Sequence, residues 1–163
     1  MSIKAKIIER FVSVNKKKYL GSNTFTEIKK MQSHDITAGD KFGHSVAASD
    51  TRIEVGAPYE DTTASDAGSA YIFDMNGNEL AKIQASDAAA YDNFGLSVGV
   101  TNTHVIVGTF VGSAAYVFDL KGNQLSIITA SDGAGGWYGY SVDISSSRTV
   151  SYTHLTLPTI YSV

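Results

Sequence analysis

The chain has 163 residues, of which 43% are hydrophobic and 18% charged, with 15 glycines, 2 prolines and no cysteine. This composition supports a packed core rather than a disordered chain, and it excludes a disulfide scaffold, a thiolate metal site and a cysteine nucleophile. A net charge of −3 conceals an asymmetry: residues 1–34 carry eight bases and two acids, the remainder five bases and fourteen acids.

The basic N-terminal stretch lacks the apolar core of a signal peptide, and no apolar run in the chain approaches the roughly 18 residues of a membrane-spanning helix. Its pattern predicts two strands, Ile7–Val14 and Phe25–Met31, joined across Lys16, Lys17 and Lys18. A basic arm can signal nucleic-acid contact, but the cluster is short and no aromatic stacking platform repeats around it. The acidic remainder repels phosphate backbones, so neither nucleic-acid binding nor membrane insertion is expected.

From Gln32 onward the chain repeats itself. QSHDITAGDKFGHSV (Gln32–Val46) matches QASDAAAYDNFGLSV (Gln84–Val98) at an offset of 52, and a third copy runs from Thr129 to Val142. RIEVGAP (Arg52–Pro58) matches HVIVGTF (His104–Phe110) at the same offset. AYIFDMNGNEL (Ala70–Leu80) matches AYVFDLKGNQL (Ala115–Leu125) at 45, so the first copy carries seven extra residues around Glu60–Asp66. Length changes confined to one connection mark a surface loop.

Each copy reads as four strands. In the first copy they are Phe42–Ser49, Arg52–Pro58, Ser69–Met75 and Asn78–Gln84. Asn76-Gly77 and Lys121-Gly122-Asn123 supply the tight hairpin turns. β-Branched and aromatic residues fill the third strand, while the Gly- and Ala-rich first strand suits an innermost position where sheets converge. Four antiparallel strands repeating every 45–50 residues or so describe blades of an all-β propeller. Residues 35–83 and 84–128 form two blades, 129–149 a partial third, and 1–34 the end of a preceding or closing blade. Closed propellers typically have about four to eight blades, so an incomplete, open propeller is expected.

Phe42-Gly43 followed by Gly56-Ala57-Pro58 resembles the FG-GAP repeat family, in its bacterial and phage form, related to the propeller of integrin α-chains. The resemblance covers about residues 25–149. It implies a non-enzymatic module for adhesion, receptor or ligand binding, or cell-surface or virion structure, and thus an extracellular or virion location. Integrin-type repeats carry a calcium loop of alternating aspartates between FG and GAP. Here that interval holds only Ser49-Asp50-Thr51-Arg52 and Thr101-Asn102-Thr103-His104, too few oxygens for calcium, so no cofactor is expected.

Other chemistry is sparse. Asp74, Asn76, Asn78 and Glu79 imitate the start of an EF-hand but lack its glycine and its closing glutamate, leaving a hairpin turn. Ser131–Trp137 imitates the Asp-box of sialidase propellers yet reads better as a third blade-linking loop. His34, His44 and His104 have no partner at ligand spacing. Asp35, Asp87 and Asp132 recur once per copy, as turn-fixing residues would, so no catalytic residue is expected.

Glu60, Asp61 and Asp66 in the insertion form the candidate ligand-contact loop, with the loops at Asp35–Asp40 and Asp87–Asp92 beside it. The ligand is expected to be protein or carbohydrate. Partners within the assembly would be further blades of the same protein or other copies of the chain, the latter giving an oligomeric lectin-like ring. Residues 150–163 (VSYTHLTLPTIYSV) leave the repeat pattern and resemble a translated sequencing adaptor, so they are expected to be a non-native tail.

Overall fold

The computed structural model describes residues 29–130, 137–146 and 149–152. Among the described residues, ten strands fall into three sheets. The first blade runs in the order β1 (Val46–Ala48), β2 (Arg52–Ala57), β3 (Ser69–Asp74), β4 (Glu79–Ile83). The second repeats it with β5 (Ser97–Val100), β6 (His104–Gly108), β7 (Ala114–Asp119), β8 (Gln124–Thr129), and β9 (Ser141–Ile144) pairs with β10 (Thr149–Tyr152) as the start of a third. All these pairings are antiparallel. The fold is therefore all-β, with two complete four-stranded blades in tandem and no closed ring among the described residues.

The expected second, third and fourth strands lie within a residue of their observed bounds. The first is shorter than expected because Phe42-Gly43 is a turn. Gly43, Gly95 and Gly139 adopt φ of 87°, 91° and 92°, a left-handed conformation that side chains with a Cβ disfavour. The third-to-fourth hairpins are also alike. The Asp74 carboxylate accepts the backbone N–H groups of Asn76 and Asn78 at 2.9 and 2.8 Å, and Asp119 accepts those of Lys121 and Asn123 at 2.8 and 2.9 Å. Both blades shift register at one equivalent point, between Ile72 and Phe73 and between Val117 and Phe118.

Alternation along β2, β3, β6 and β7 gives every blade two apolar faces. In the first blade, Ile53, Val55, Tyr71 and Phe73 pack with Met31, Ile36 and Phe42. Its other face, through Ala70, Ile72 and Ile83, meets Phe94, Val105, Val107, Tyr116 and Phe118 of the second. The second blade's far face, through Ile106 and Ala115, meets Val142 and Ile144. The repeat phenylalanines stack edge-on against their own third strands. Phe42 lies 5.5 and 6.0 Å from Tyr71 and Phe73, and Phe94 lies 5.5 and 5.8 Å from Tyr116 and Phe118.

Polar contacts complete the joint between blades. Gly43 and Gly95 donate their N–H groups to the carbonyls of Gly56 and Gly108 within their own blades. The Gly95 carbonyl then accepts the Ser45 hydroxyl of the preceding blade at 2.7 Å, and Gly139 accepts Ser97 at 2.8 Å. A Cβ on Gly56 would overlap the Gly95 carbonyl, and one on Gly108 would overlap that of Gly139. The repeated Phe-Gly and Gly-Ala-Pro elements thus meet within a blade and again across the seam.

The strands expected at Ile7–Val14 and most of Phe25–Met31 lie outside the described residues. Residues 29–31 are not in a strand; Lys29 and Met31 lie against Gly77 as Ala81 and Ile83 lie against Gly122. At the other end, β10 places residues 150–152 opposite Asp143, Val142 and Ser141. The backbone thus continues the third blade three residues past Thr149, and the rest of the expected tail lies outside the described residues.

Gly56→Ala should lower unfolding stability by about 1–3 kcal/mol through overpacking of the seam. Ser45→Ala should cost about 1 kcal/mol for one lost hydrogen bond. Urea unfolding followed by circular dichroism measures both.

Candidate functional site

The insertion expected to contact ligand closes over the seam between the two blades. Tyr91, Asn93 and Phe94 donate backbone N–H groups to the carbonyls of Ser65, Asp66 and Ala67 at 2.8, 3.0 and 2.9 Å, and Gly68 bridges to Phe94. The Asn93 amide adds bonds to the Pro58 and Asp66 carbonyls at 3.1 and 3.2 Å. Asp66 takes a left-handed φ of 51°, and its N–H donates to the Asp61 carboxylate at 2.6 Å. Asp61, Thr62, Thr63 and Ser65 remain exposed at the outer edge.

Glu60 turns inward and is 3% exposed. Its carboxylate accepts the Ser69 hydroxyl at 2.7 Å, the Gln84 amide at 3.2 Å, the Thr62 N–H at 2.9 Å and the Thr62 hydroxyl. Lys82 bridges it at 3.1 Å to Asp35, which Lys82 meets at 2.6 Å. Asp35 also accepts the Ser33 and Tyr71 hydroxyls at 2.7 and 3.0 Å. Burial works to raise the Asp35 carboxyl, and the bonds from Lys82, Ser33 and Tyr71 outweigh it, bringing the pKa down to about 2. Glu60 likewise falls below its ordinary value, because its hydrogen bonds overcome burial. The ammonium of Lys82 is held charged by the same pair of carboxylates, against the effect of burial.

This network breaks the repeat. Ile127 and Thr129 stand where Lys82 and Gln84 stand, and Ala114 replaces Ser69. Only the Tyr–Asp pair recurs, with burial and then the Asp87 carboxylate pushing the Tyr116 phenol upward. The two carboxylates and the lysine saturate one another and tie the segment before the blade to its outer strand. A charged lysine between two anions is a poor nucleophile or base.

The other recurring acids hold turns. Asp40 accepts the Thr37 N–H and hydroxyl at 2.7 and 2.8 Å, and Asp92 accepts the Ala89 N–H at 2.8 Å. Their carbonyls also receive the N–H groups of Tyr59 and Phe110. His34 reaches Glu79 at 2.8 Å across 45 residues, and Gln124 bonds Ser86 in the equivalent place at 2.9 Å. These ties between linker and fourth strand are aligned in the repeats but carry no recognisable motif. Asp132 lies outside the described residues. Among the described residues, no three His, Asp or Glu side chains gather as a metal would require. In the interval where a calcium loop would stand, the Ser49 hydroxyl accepts the N–H groups of Thr51 and Arg52 at 3.3 and 3.1 Å, forming an ordinary turn.

One buried acid has no partner. Glu54 is fully buried on the seam face of β2, and neither carboxylate oxygen has a hydrogen-bond partner. Burial raises its pKa well above the usual value. The second blade puts Ile106 in this position.

Four-stranded sheets docked face to face through their first strands define the class, the blades of a β-propeller. The FG-GAP repeat model matches residues 25–73 and 78–118, together more than half of the chain. The chain belongs to the FG-GAP repeat family. No curated protein matches it.

Replacing Lys82 by Met should destabilise the protein by roughly 3 kcal/mol at neutral pH, since two carboxylates lose their counter-ion. The stabilisation from depressed carboxyls is complete above their unfolded values near 4 and is lost as pH falls toward the folded value of about 2. The gap between wild type and variant should therefore close through that window in acid titrations of the melting temperature. Glu54→Ile should stabilise the protein by about 1–3 kcal/mol at pH 7. A raised folded pKa means the folded state holds the extra proton, so wild-type stability falls as pH rises above the unfolded value near 4.5. The advantage of Glu54→Ile should accordingly grow from pH 4 to pH 7 in urea unfolding.

Proposed function

We propose that the chain is a non-enzymatic binding module of a cell-surface or virion protein, presenting loops from a rigid propeller scaffold to a protein or carbohydrate ligand. The observation that carries this reading is a constant frame bearing unequal loops. Strands, hairpins and seam glycines repeat closely between the blades, whereas the connection after the second strand differs by seven residues. Variable loops on an invariant scaffold are how repeat proteins acquire binding specificity. Asp35, Asp40, Glu60 and Asp92 are occupied in holding that frame. Asp61 and the neighbouring exposed residues form the outer surface of the insertion, while Glu60 and Asp66 set its position.

A second reading is a lectin-like ring assembled from several chains. Support comes from the seam, which joins unlike surfaces head to tail and uses the same contacts at both steps.

Light scattering and a combined array of glycans and purified surface proteins test the two. A monomer that binds an array member supports the single-module reading, and a discrete ring that binds sugars supports the lectin. Thr63→Arg, at the exposed part of the insertion, should reduce array binding without changing the melting temperature. A blank array for folded protein would overturn the binding role.

A further inference from the structure

Two residues of β2 carry polar side-chain atoms that are buried without a hydrogen-bond partner: Arg52 through Nε, and Glu54 through both carboxylate oxygens. Among the described residues, no other buried side-chain nitrogen or oxygen is left in this way. Strand alternation puts the two on the seam face, because Ile53 and Val55 belong to the core of the opposite face. Residues two apart on one face of a strand are separated by roughly 7 Å, a span that an arginine side chain covers. The guanidinium is anchored through Nη1, which donates to the Thr51 carbonyl at 2.7 Å. We propose that Arg52 is the latent counter-ion of Glu54. Loss of the Glu54 proton to solvent turns the guanidinium onto the carboxylate, and a buried ion pair forms.

Among the described residues, the surroundings of Glu54 offer its carboxylate no other cation. Ala47 of β1 and Ile72 of β3 stand opposite it in the sheet. Val98 and Val100 of β5 and Val105 of β6 close the seam core from the second blade. The Ser45 hydroxyl, further along β1, is committed to the Gly95 carbonyl at 2.7 Å. Asp74, the partner of Arg52 on β3, spends its carboxylate on the hairpin N–H groups of Asn76 and Asn78. An ionised carboxylate left alone in such a setting is strongly disfavoured, and burial accordingly raises the pKa of this acid well above its usual value. The seam therefore closes over the neutral acid. The Arg52 Nε–H gives up no hydrogen bond when it turns to Glu54, and the charge-assisted bond it gains is of the strong kind.

The second blade replaces both members together, with His104 and Ile106 at the same two positions. Of the two blades, the first alone carries the device. Glu54 stands two residues before Gly56, whose missing Cβ lets the Gly95 carbonyl approach. Both partners lie on β2, so the pair draws nothing from the second blade. Raising the pH exchanges a neutral contact across the seam for an ion pair within one strand.

A folded state that keeps its proton above the unfolded value near 4.5 loses stability as pH rises from there. Arg52 limits that loss. Full-length protein, Arg52→Met, Glu54→Gln and the double variant are unfolded in urea at pH 5 and pH 9. At pH 9 Arg52→Met should lower the folding equilibrium constant of the wild type about tenfold more than that of Glu54→Gln. At pH 5 the two losses should be equal. In an NMR titration of the wild type, the Glu54 carboxyl carbon and the Arg52 Nε–H should shift together with one midpoint. That measurement needs no substitution, so it decides the matter even where a variant fails to fold. Equal losses at pH 9 overturn the proposal, as does a difference already complete at pH 5. So does an Nε–H that ignores the titration, or a Glu54 carboxyl that keeps its proton until the chain unfolds.

Discussion

The carbonyl of each repeat's Phe-Gly glycine is the contact on which the arrangement depends. At Gly95 it closes against Gly56 and receives the Ser45 hydroxyl, and at Gly139 the same happens with Gly108 and Ser97. Nothing larger than hydrogen is tolerated on the receiving glycine. The inner strands are thereby brought close enough for their apolar faces to seal. A left-handed glycine on one side and a Cβ-free glycine on the other are both needed, which is the physical content of the paired motif.

The two seams meet this common constraint with different fillings. The first is the more polar, with an unpartnered Glu54 on its inner face and the insertion across its rim, while the Asp35–Lys82–Glu60 network lies on the opposite face of the first blade beside Tyr71. At the second, Ile106 lies in the core and aromatic rings occupy the rim. Glu54 opposes the tight joint that its glycine neighbour two residues on makes possible. The first blade thus couples its stability to pH in opposing ways on its two faces: Asp35 and Glu60 favour their ionised forms on one, and Glu54 its protonated form on the seam face.

The frame was legible because it rests on local chemistry repeated at fixed spacing. Alternation in Arg52–Ala57, the turn glycines at 77 and 122, and the offsets of 52 and 45 each reflect neighbours along a strand or hairpin. The residue types of Phe42-Gly43 allow a strand, but the left-handed φ of Gly43 depends on its contact with Gly56, which is distant in sequence. The candidate loop was recognised as an insertion, while its fastening to Tyr91 and Asn93 depends on partners about 25 residues away that carry no signature. Lys82 meets Asp35 across 47 residues for the same reason. Burial of Glu54 had a signal in its alignment with Ile106. The aromatic rim had one too, since Phe110 replaces the proline of the motif and Trp137 stands where the second copy has Asn93.

The matched register shifts at Ile72–Phe73 and Val117–Phe118 have a geometric consequence. An extra residue in one strand of a pair increases the local right-handed twist, so the fourth strand departs from the third at a steeper angle. Recurrence of the irregularity at one repeat position makes each sheet splay outward from its narrow inner strand in the same way.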